Sequence, residues 1–203
     1  MKGNPMQETV GPSTWKELNR YIRMDLDFTN GKHVNFWRRY LFEAGEKYIF
    51  WLRVTRYFFL KGKKAFPLFL LARMRLKHLG YKYSFDLSYR AQIGGGLQIA
   101  HYGYVIVPSN TVMGEYCRLR PGVVIGTKFT GSSANGVRIG NQVEFGVGAK
   151  VLGEITVGNQ VIIGANAVVT KDVPDCCIVS GIPATVKRKF EKMTDVVDKS
   201  KRA

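Results

Sequence analysis

The sequence predicts a mainly β protein, a hexapeptide-repeat parallel β-helix preceded by an α-helical region. Three observations carry this. An aliphatic or aromatic residue returns every sixth position through Ile139, Phe145, Val151, Val157, Ile163 and Val169. A small or flexible residue usually follows the large one, as at Gly140, Gly146, Gly158 and Gly164, and a small or β-branched residue often stands four positions after it, as at Val143, Ala149, Val161 and Ala167. Residues 14–83, by contrast, show helical patterning. Each six-residue unit then makes one short strand and one corner, and three units wrap once around a prism. The large residues stack inward from coil to coil, which is how such a solenoid acquires a core. Gly, Asn and Asp between the units suit corners by tolerating positive φ. Strands of a sandwich would alternate with period two and turn at irregular spacing.

The six-residue phase extends backward with two breaks. Val107, Met113, Leu119 and Ile125 hold it, and Ile93 and Ile99 hold it further upstream. Between Ile125 and Ile139 an extra Gly/Ser-rich segment runs from Thr127 to Arg138, and between Ile99 and Val107 two residues are inserted. Insertions in a solenoid become side loops, where function tends to sit. His101 stands in the shorter one.

Three helices are expected before the solenoid. The first starts at Thr14, with Glu17 at capping-box spacing, and runs to about Asp25, ahead of a turn at Thr29, Asn30 and Gly31. The second spans about Phe36 to Leu60. The third runs from Pro67, a first-turn proline, to Leu79, with Gly80 as its stop. The second is dense in aromatic and basic residues, including Phe36, Trp37, Arg38, Arg39, Tyr40, Trp51, Arg53, Arg56, Tyr57, Phe58 and Phe59. Three readings fit: the aromatics pack between helices and onto the first coil with Lys and Arg solvated, the helices form an amphipathic surface for an anionic membrane, or they form an oligomer interface alone.

Composition narrows the remaining choices. The chain of 203 residues has a formal net charge of +16, yet residues 86–186 hold seven Lys and Arg against six Asp and Glu. The basic excess lies in the flanks, so the solenoid is not expected to bind nucleic acid. Cys117, Cys176 and Cys177 are an odd set without metal spacing, which suits a reducing compartment. No apolar run reaches the length of a membrane span, and the N-terminus lacks a signal-peptide core. The expected location is the cytoplasm. With a single His in the solenoid, a three-His metal site cannot be assembled, so no metal is expected. Gly94, Gly95 and Gly96 lack the spacing and following helix of a dinucleotide fingerprint. The expected division is a helical region (1–85), the β-helix (86–186) and a basic tail (187–203).

The segment from Asp86 to Lys189 resembles the left-handed β-helix acyltransferases, and within them the serine acetyltransferase branch. The block DLSYRAQIGGGLQIAH resembles one that opens with a catalytic Asp and closes fifteen residues later with a catalytic His. GVGAKVLGEITVGNQVIIGANAVVTKDVP and the following SGIPA resemble the family's closing coils. The resemblance implies left-handed coiling, against the usual crossover rule, and acetyl-CoA as acyl donor. His101 would be the general base and Asp86 its support. Backbone groups at Gly126, Gly146, Val147, Gly164 and Ala165 would serve the thioester oxygen and the pantetheine arm. Lys171 and Arg188, within the cluster Lys187 to Lys189, would meet the cofactor phosphates. A homotrimer with sites between neighbouring solenoids is implied, and a hexamer is compatible.

The departures shape the expected acceptor. The family's serine enzymes carry an acidic residue before the catalytic His, where this chain has Ala100. They also carry an Arg-His pair in the long loop, matched here by Asn135 and Gly136, and a longer helical domain. The expectation is therefore acetyl transfer to a sugar hydroxyl in surface-polysaccharide synthesis, with a small-molecule or lipid-linked acceptor at the inner membrane face. Serine is the alternative acceptor. The alternative of another class is a non-catalytic scaffold using its basic aromatic helices.

Overall fold

The computed structural model describes residues 11–30, 40, 43–127 and 136–192. Three helices, α1 (Trp15–Asn30), α2 (Ala44–Leu60) and α3 (Phe66–Tyr83), precede a solenoid of short strands, with a 3-10 turn (Gly62–Ala65) between α2 and α3. The solenoid has three faces. The first holds β1 (Phe85–Leu87), β4 (Val105–Val107), β7 (Val124–Gly126), β10 (Lys150–Leu152) and β13 (Val168–Val169). The second holds β2 (Gln92–Ile93), β5 (Val112–Met113), β8 (Arg138–Ile139) and β11 (Thr156–Val157). The third holds β3 (Gln98–Ile99), β6 (Arg118–Leu119), β9 (Glu144–Phe145), β12 (Ile162–Ile163) and β14 (Cys177–Gly181). Neighbours within each face are parallel, except that β15 (Ala184–Lys189) folds back antiparallel on β14 and closes the stack. The basic residues Lys187, Arg188 and Lys189, expected in a tail, lie in that last strand.

The period-six residues become vertical columns. Ile93, Met113, Ile139 and Val157 stack in the second face. Ile125, Val151 and Val169 stack in the first, and Phe145, Ile163 and Val179 in the third. All are almost fully buried. At about 1.5–3 kcal/mol per large apolar side chain, this column packing is the main force holding the coils together.

Gly122, Gly148, Gly153 and Asn166 take positive φ at their corners, as the sequence suggested, but the corner between the second and third faces obeys a different rule. Many of the corner glycines are there for space. A Cβ on Gly94 would sit 2.6 Å from the Gly114 carbonyl carbon, one on Gly114 2.7 Å from that of Gly140, and one on Gly140 2.8 Å from that of Gly158. The left-handed backbone at this corner falls on Gly96 (φ 76°) in the first coil and then on Tyr116, Gln142, Gln160 and Cys176, with φ between 53° and 58°. Each of the last four donates its N–H to a carbonyl of the preceding coil at 2.8–2.9 Å, which offsets the roughly 1–2 kcal/mol steric cost of that conformation. Side chains add a ladder: Asn141 Oδ1 accepts from Glu115 N–H, Asn159 Oδ1 from Asn141 N–H and Asp175 Oδ1 from Asn159 N–H.

The helices depart from expectation at their ends. The capping box is present, with Thr14 Oγ1 accepting from Glu17 N–H at 3.1 Å and the Glu17 carboxylate from Thr14 N–H at 3.0 Å. However, α1 passes Asp25 and includes Thr29 and Asn30, because nothing in that stretch breaks a helix and Asp25 points inward. The expected second helix is interrupted: Glu43 is extended (φ −99°, ψ 122°) and α2 begins at Ala44, while residues 36–39, 41 and 42 lie outside the described residues. Pro67 takes a first-turn position as expected, but Gly80 does not stop α3, which ends at Ser84 in left-handed conformation (φ 62°). Gly80 is required for contact, since a Cβ there would lie 2.7 Å from the Phe85 carbonyl oxygen. Gly45 likewise abuts the Ile99 backbone.

Arg53 and Arg56, expected on a solvated or membrane-facing surface, are buried. Arg53 forms a two-point pair with Asp25 and donates to the carbonyls of Ile93 and Gly94 at 2.6 Å. Arg56 donates to the carbonyls of Tyr89 and Arg90. A guanidinium supplies several donors in one rigid fork, so these two residues bolt α2 to the otherwise unpaired start of the first coil.

Candidate active site

Strand β1 alternates, so Phe85 and Leu87 enter the core and Asp86 points outward. Tyr48 of α2 fixes the strand: its hydroxyl donates to the Leu87 carbonyl at 3.3 Å and accepts from the Leu87 N–H at 3.0 Å. Burial pushes that phenol up to about 12, with Asp86 adding in the same direction. Asp86 opens onto a groove of about 470 Å³ between α3 and the first face, lined also by Arg73, Lys77, Tyr81, Tyr89 and Tyr104. Arg73 lies over the Tyr89 ring at 5.8 Å and Lys77 over the Tyr81 ring at 5.5 Å. The groove therefore pairs one carboxylate with cationic and aromatic walls.

His101 lies on the corner that carries the chain from β3 to β4. Its φ is 66°, a conformation uncommon for a residue with a side chain, and the imidazole is exposed. The two extra residues make this corner bulge toward α3, where Gly103 donates to the Tyr83 carbonyl at 3.3 Å. Tyr104, three residues after His101, lines the Asp86 groove. Among the described residues no hydrogen bond joins Asp86 to His101.

Val147 and Ala165 lie on the same corner column as His101, two and three coils along, or roughly 10 and 14 Å at the usual strand separation. Both are exposed, and among the described residues neither N–H has a backbone acceptor, whereas the adjacent Asn166 N–H donates to the Val147 carbonyl. Gly146 is buried, and a Cβ on it would lie 2.7 Å from the Gly164 carbonyl carbon, so these two glycines allow the coils to stack and free the N–H groups that follow. Gly126 ends β7 at the opposite margin of the first face, and exposed Lys171 follows β13 at that same margin. Exposed Arg188 sits in β15 over the third face. The structure thus gathers His101, Val147 and Ala165 on one edge, sets Asp86 on the adjoining face, and leaves Gly126, Lys171 and Arg188 apart from them within one chain.

Sequence reasoning missed the groove wall. Arg73, Lys77 and Tyr81 come from α3, and only the fold brings that helix over β1. Tyr104 was within reach, since it shares the inserted segment with His101. Two positions bear on the acceptor. Ala100 is half-buried before His101. Gly136 is confined by Asn110, whose carbonyl carbon would lie 2.6 Å from any Cβ there, so a His at this position has no room. Asn135 lies outside the described residues.

No protein-family model matches the chain. Similar proteins nevertheless exist. The serine acetyltransferase of Synechococcus elongatus is 38% identical over 110 residues, covering 54% of this chain and 45% of that protein. The serine acetyltransferase of Buchnera aphidicola is 34% identical over 146 residues, covering 71% of this chain and 50% of that one. The crystal structure of serine acetyltransferase from Brucella abortus superposes with a TM-score of 0.73 at 25% identity, over 86% of this chain and 70% of the other. The chain spans about half the length of the curated relatives it matches. None of these proteins is named for a sugar acceptor. By its repeat, its solenoid preceded by helices and these likenesses, the chain has the fold of the hexapeptide-repeat, left-handed β-helix acyltransferases and resembles their serine acetyltransferase branch.

Proposed function

We propose that this chain is an acetyl-CoA-dependent O-acetyltransferase, with serine as the acceptor its relatives point to. The observation that carries the reading is the shared edge of His101 and the unpartnered N–H groups of Val147 and Ala165, with Asp86 on the adjoining face. An alkoxide is inaccessible at neutral pH, and an imidazole titrates in the range needed to take the hydroxyl proton as the C–O bond forms. His101 removes that proton, and the hydroxyl oxygen attacks the thioester carbonyl of acetyl-CoA. The tetrahedral oxyanion accepts hydrogen bonds from backbone N–H donors. The C–S bond then breaks, and the departing thiolate takes the proton from His101. Asp86 favours the imidazolium electrostatically. Gly126 and the N–H groups of Val147 and Ala165 receive the pantetheine arm, and Lys171 and Arg188 its phosphates. These residues lie apart in one chain, which supports a homotrimer whose neighbouring solenoids complete each site.

A second reading, a hydroxyl acceptor other than serine, is favoured by Ala100 and Gly136. Neither supplies a charge for an amino acid's ammonium or carboxylate, and Asn110 leaves no space for one at 136. A sugar hydroxyl, free or lipid-linked, belongs to this reading, though the relatives give it no support. Thiol release from acetyl-CoA, followed with serine, monosaccharides and nucleotide sugars in turn, separates the two. Turnover on serine alone upholds the first, and turnover on a sugar but not serine upholds the second. No acceptor-dependent release from any of them, with acetyl-CoA bound, overturns the enzyme in favour of a scaffold.

A further inference from the structure

One sequence reading of the aromatic and basic run in the second helix is membrane contact, but the fold buries Arg53 and Arg56. A surface of that character lies on α3. This helix docks by one stripe, Ala72, Leu76, Leu79 and Gly80. On its far side Leu70, Leu71 and Met74 are 44–63% exposed, and Tyr81, 79% exposed, stands where this side meets the rim of the Asp86 groove. At 3.6 residues per turn these four fall within a sector of about 100°. Exposed Arg73 and Lys77 flank the ridge on one side, and Arg75 and Lys82 on the other. Phe66 and Leu68 extend the apolar surface toward the exposed Lys61, Lys63 and Lys64.

From Leu60 to Phe85 the sequence has seven Lys and Arg and no Asp or Glu. Among the described residues none of the seven forms an ion pair. We propose that the outer face of α3 docks on an anionic lipid bilayer, with the apolar ridge at the acyl boundary and the cations at headgroup phosphates. An apolar stripe between two cationic margins is the pattern of a helix that lies in the interface plane. A second copy is the poorer occupant, because a twofold contact would set the same seven cations against themselves. Among the described residues no helix is long and apolar enough to cross a membrane, and the proposal requires only peripheral contact. It is independent of the acceptor.

The test is sedimentation of the full chain with vesicles of phosphatidylcholine alone or with about a third phosphatidylglycerol. Binding is expected to the anionic vesicles, to be at least tenfold weaker to neutral ones, and to fall steeply with salt. Arg75→Gln with Lys82→Gln should weaken it roughly thirtyfold, and Leu71→Glu with Met74→Glu should abolish it. These four side chains are exposed, so the melting temperature should hold, and circular dichroism verifies the fold. Failure to sediment with anionic vesicles, or variants that bind like the parent, overturns the proposal. So does a drop in oligomeric mass in the Leu71→Glu, Met74→Glu variant with lipid binding intact, which would assign the face to a second copy.

Discussion

Arg53 of α2 grips Asp25 of α1 through two hydrogen bonds inside the protein, Nε to Oδ2 at 2.9 Å and Nη2 to Oδ1 at 3.0 Å. The same carboxylate accepts from Leu97 N–H at 2.8 Å, and the same guanidinium donates to the Ile93 and Gly94 carbonyls. One ion pair thus joins two helices to the first coil. Asp25→Ala leaves a buried guanidinium without its counter-charge and should cost about 3–5 kcal/mol. Asp25→Leu combined with Arg53→Met should recover part of that loss. Urea unfolding of the single and double variants checks both.

Gly80 gives a test in which two effects oppose. Alanine improves helix propensity by about 1 kcal/mol, yet its Cβ would stand 2.7 Å from the Phe85 carbonyl oxygen, a backbone atom at the start of the solenoid. Overpacking against backbone costs about 1–3 kcal/mol. Gly80→Ala should therefore be net destabilising and shift Tyr48 and β1, seen as a lower melting temperature. A stabilised variant would show that α3 can lift from β1 at no cost.

His101→Ala should lower kcat by roughly two to four orders of magnitude, the usual worth of a positioned base, with acetyl-CoA affinity nearly unchanged. The N–H groups assigned to the cofactor lie two and three coils from His101 and do not depend on its side chain. Asp86→Asn should cost less, because it removes a stabilising charge and keeps the base. Isothermal titration with the cofactor, beside steady-state rates, separates binding from chemistry.

Transfer should be direct, without an acyl-enzyme. Cys117 is buried, its thiol donates to the Gly140 carbonyl at 3.4 Å, and burial pushes the thiol up to about 12. A thiolate is the reactive form, so Cys117 should resist iodoacetamide in the folded protein and react once unfolded. Cys117→Ala should keep activity. An acetylated Cys117 in mass spectra would reverse this.

Hydrogen bonds from the Ser13 hydroxyl, then from the Ser13 and Thr14 N–H groups, hold the Glu17 carboxyl below its ordinary value of 4.5. A depressed folded value means that this support is present above about pH 4.5 and fades as pH falls through the folded value. Glu17→Gln should therefore be less stable than the parent at pH 7, with the gap narrowing at a pH below 4.5. Thermal melts at the two pH values test the sign.

The sequence by itself determined the solenoid and its phase. Inward residues must recur once per strand and corner, so a local period of six already encodes a global stack, and Ile93 to Val169 occupy the columns that the period assigned. It also set the capping box at Thr14 and Glu17, whose partners are three residues apart, and it placed His101 in a break of the repeat. Handedness and the proposed partnership of Asp86 with His101 came from likeness rather than from period.

Tertiary structure alone decided the remainder, because those features depend on contacts between distant segments. Arg53 and Arg56 read as surface residues in sequence, since nothing nearby reveals that unpaired carbonyls of the first coil await their donors. Gly80 reads as a helix stop and Gly45 as an ordinary helix residue, yet both are points where a helix meets solenoid backbone. The corner glycines read as φ-permissive, but coil spacing forces Gly94, Gly114, Gly140 and Gly158 to lack a Cβ while Gln142 and Gln160 take the left-handed turn. The groove over Asp86 exists only because α3 crosses β1, and the face that α3 leaves exposed is fixed by which stripe that crossing buries.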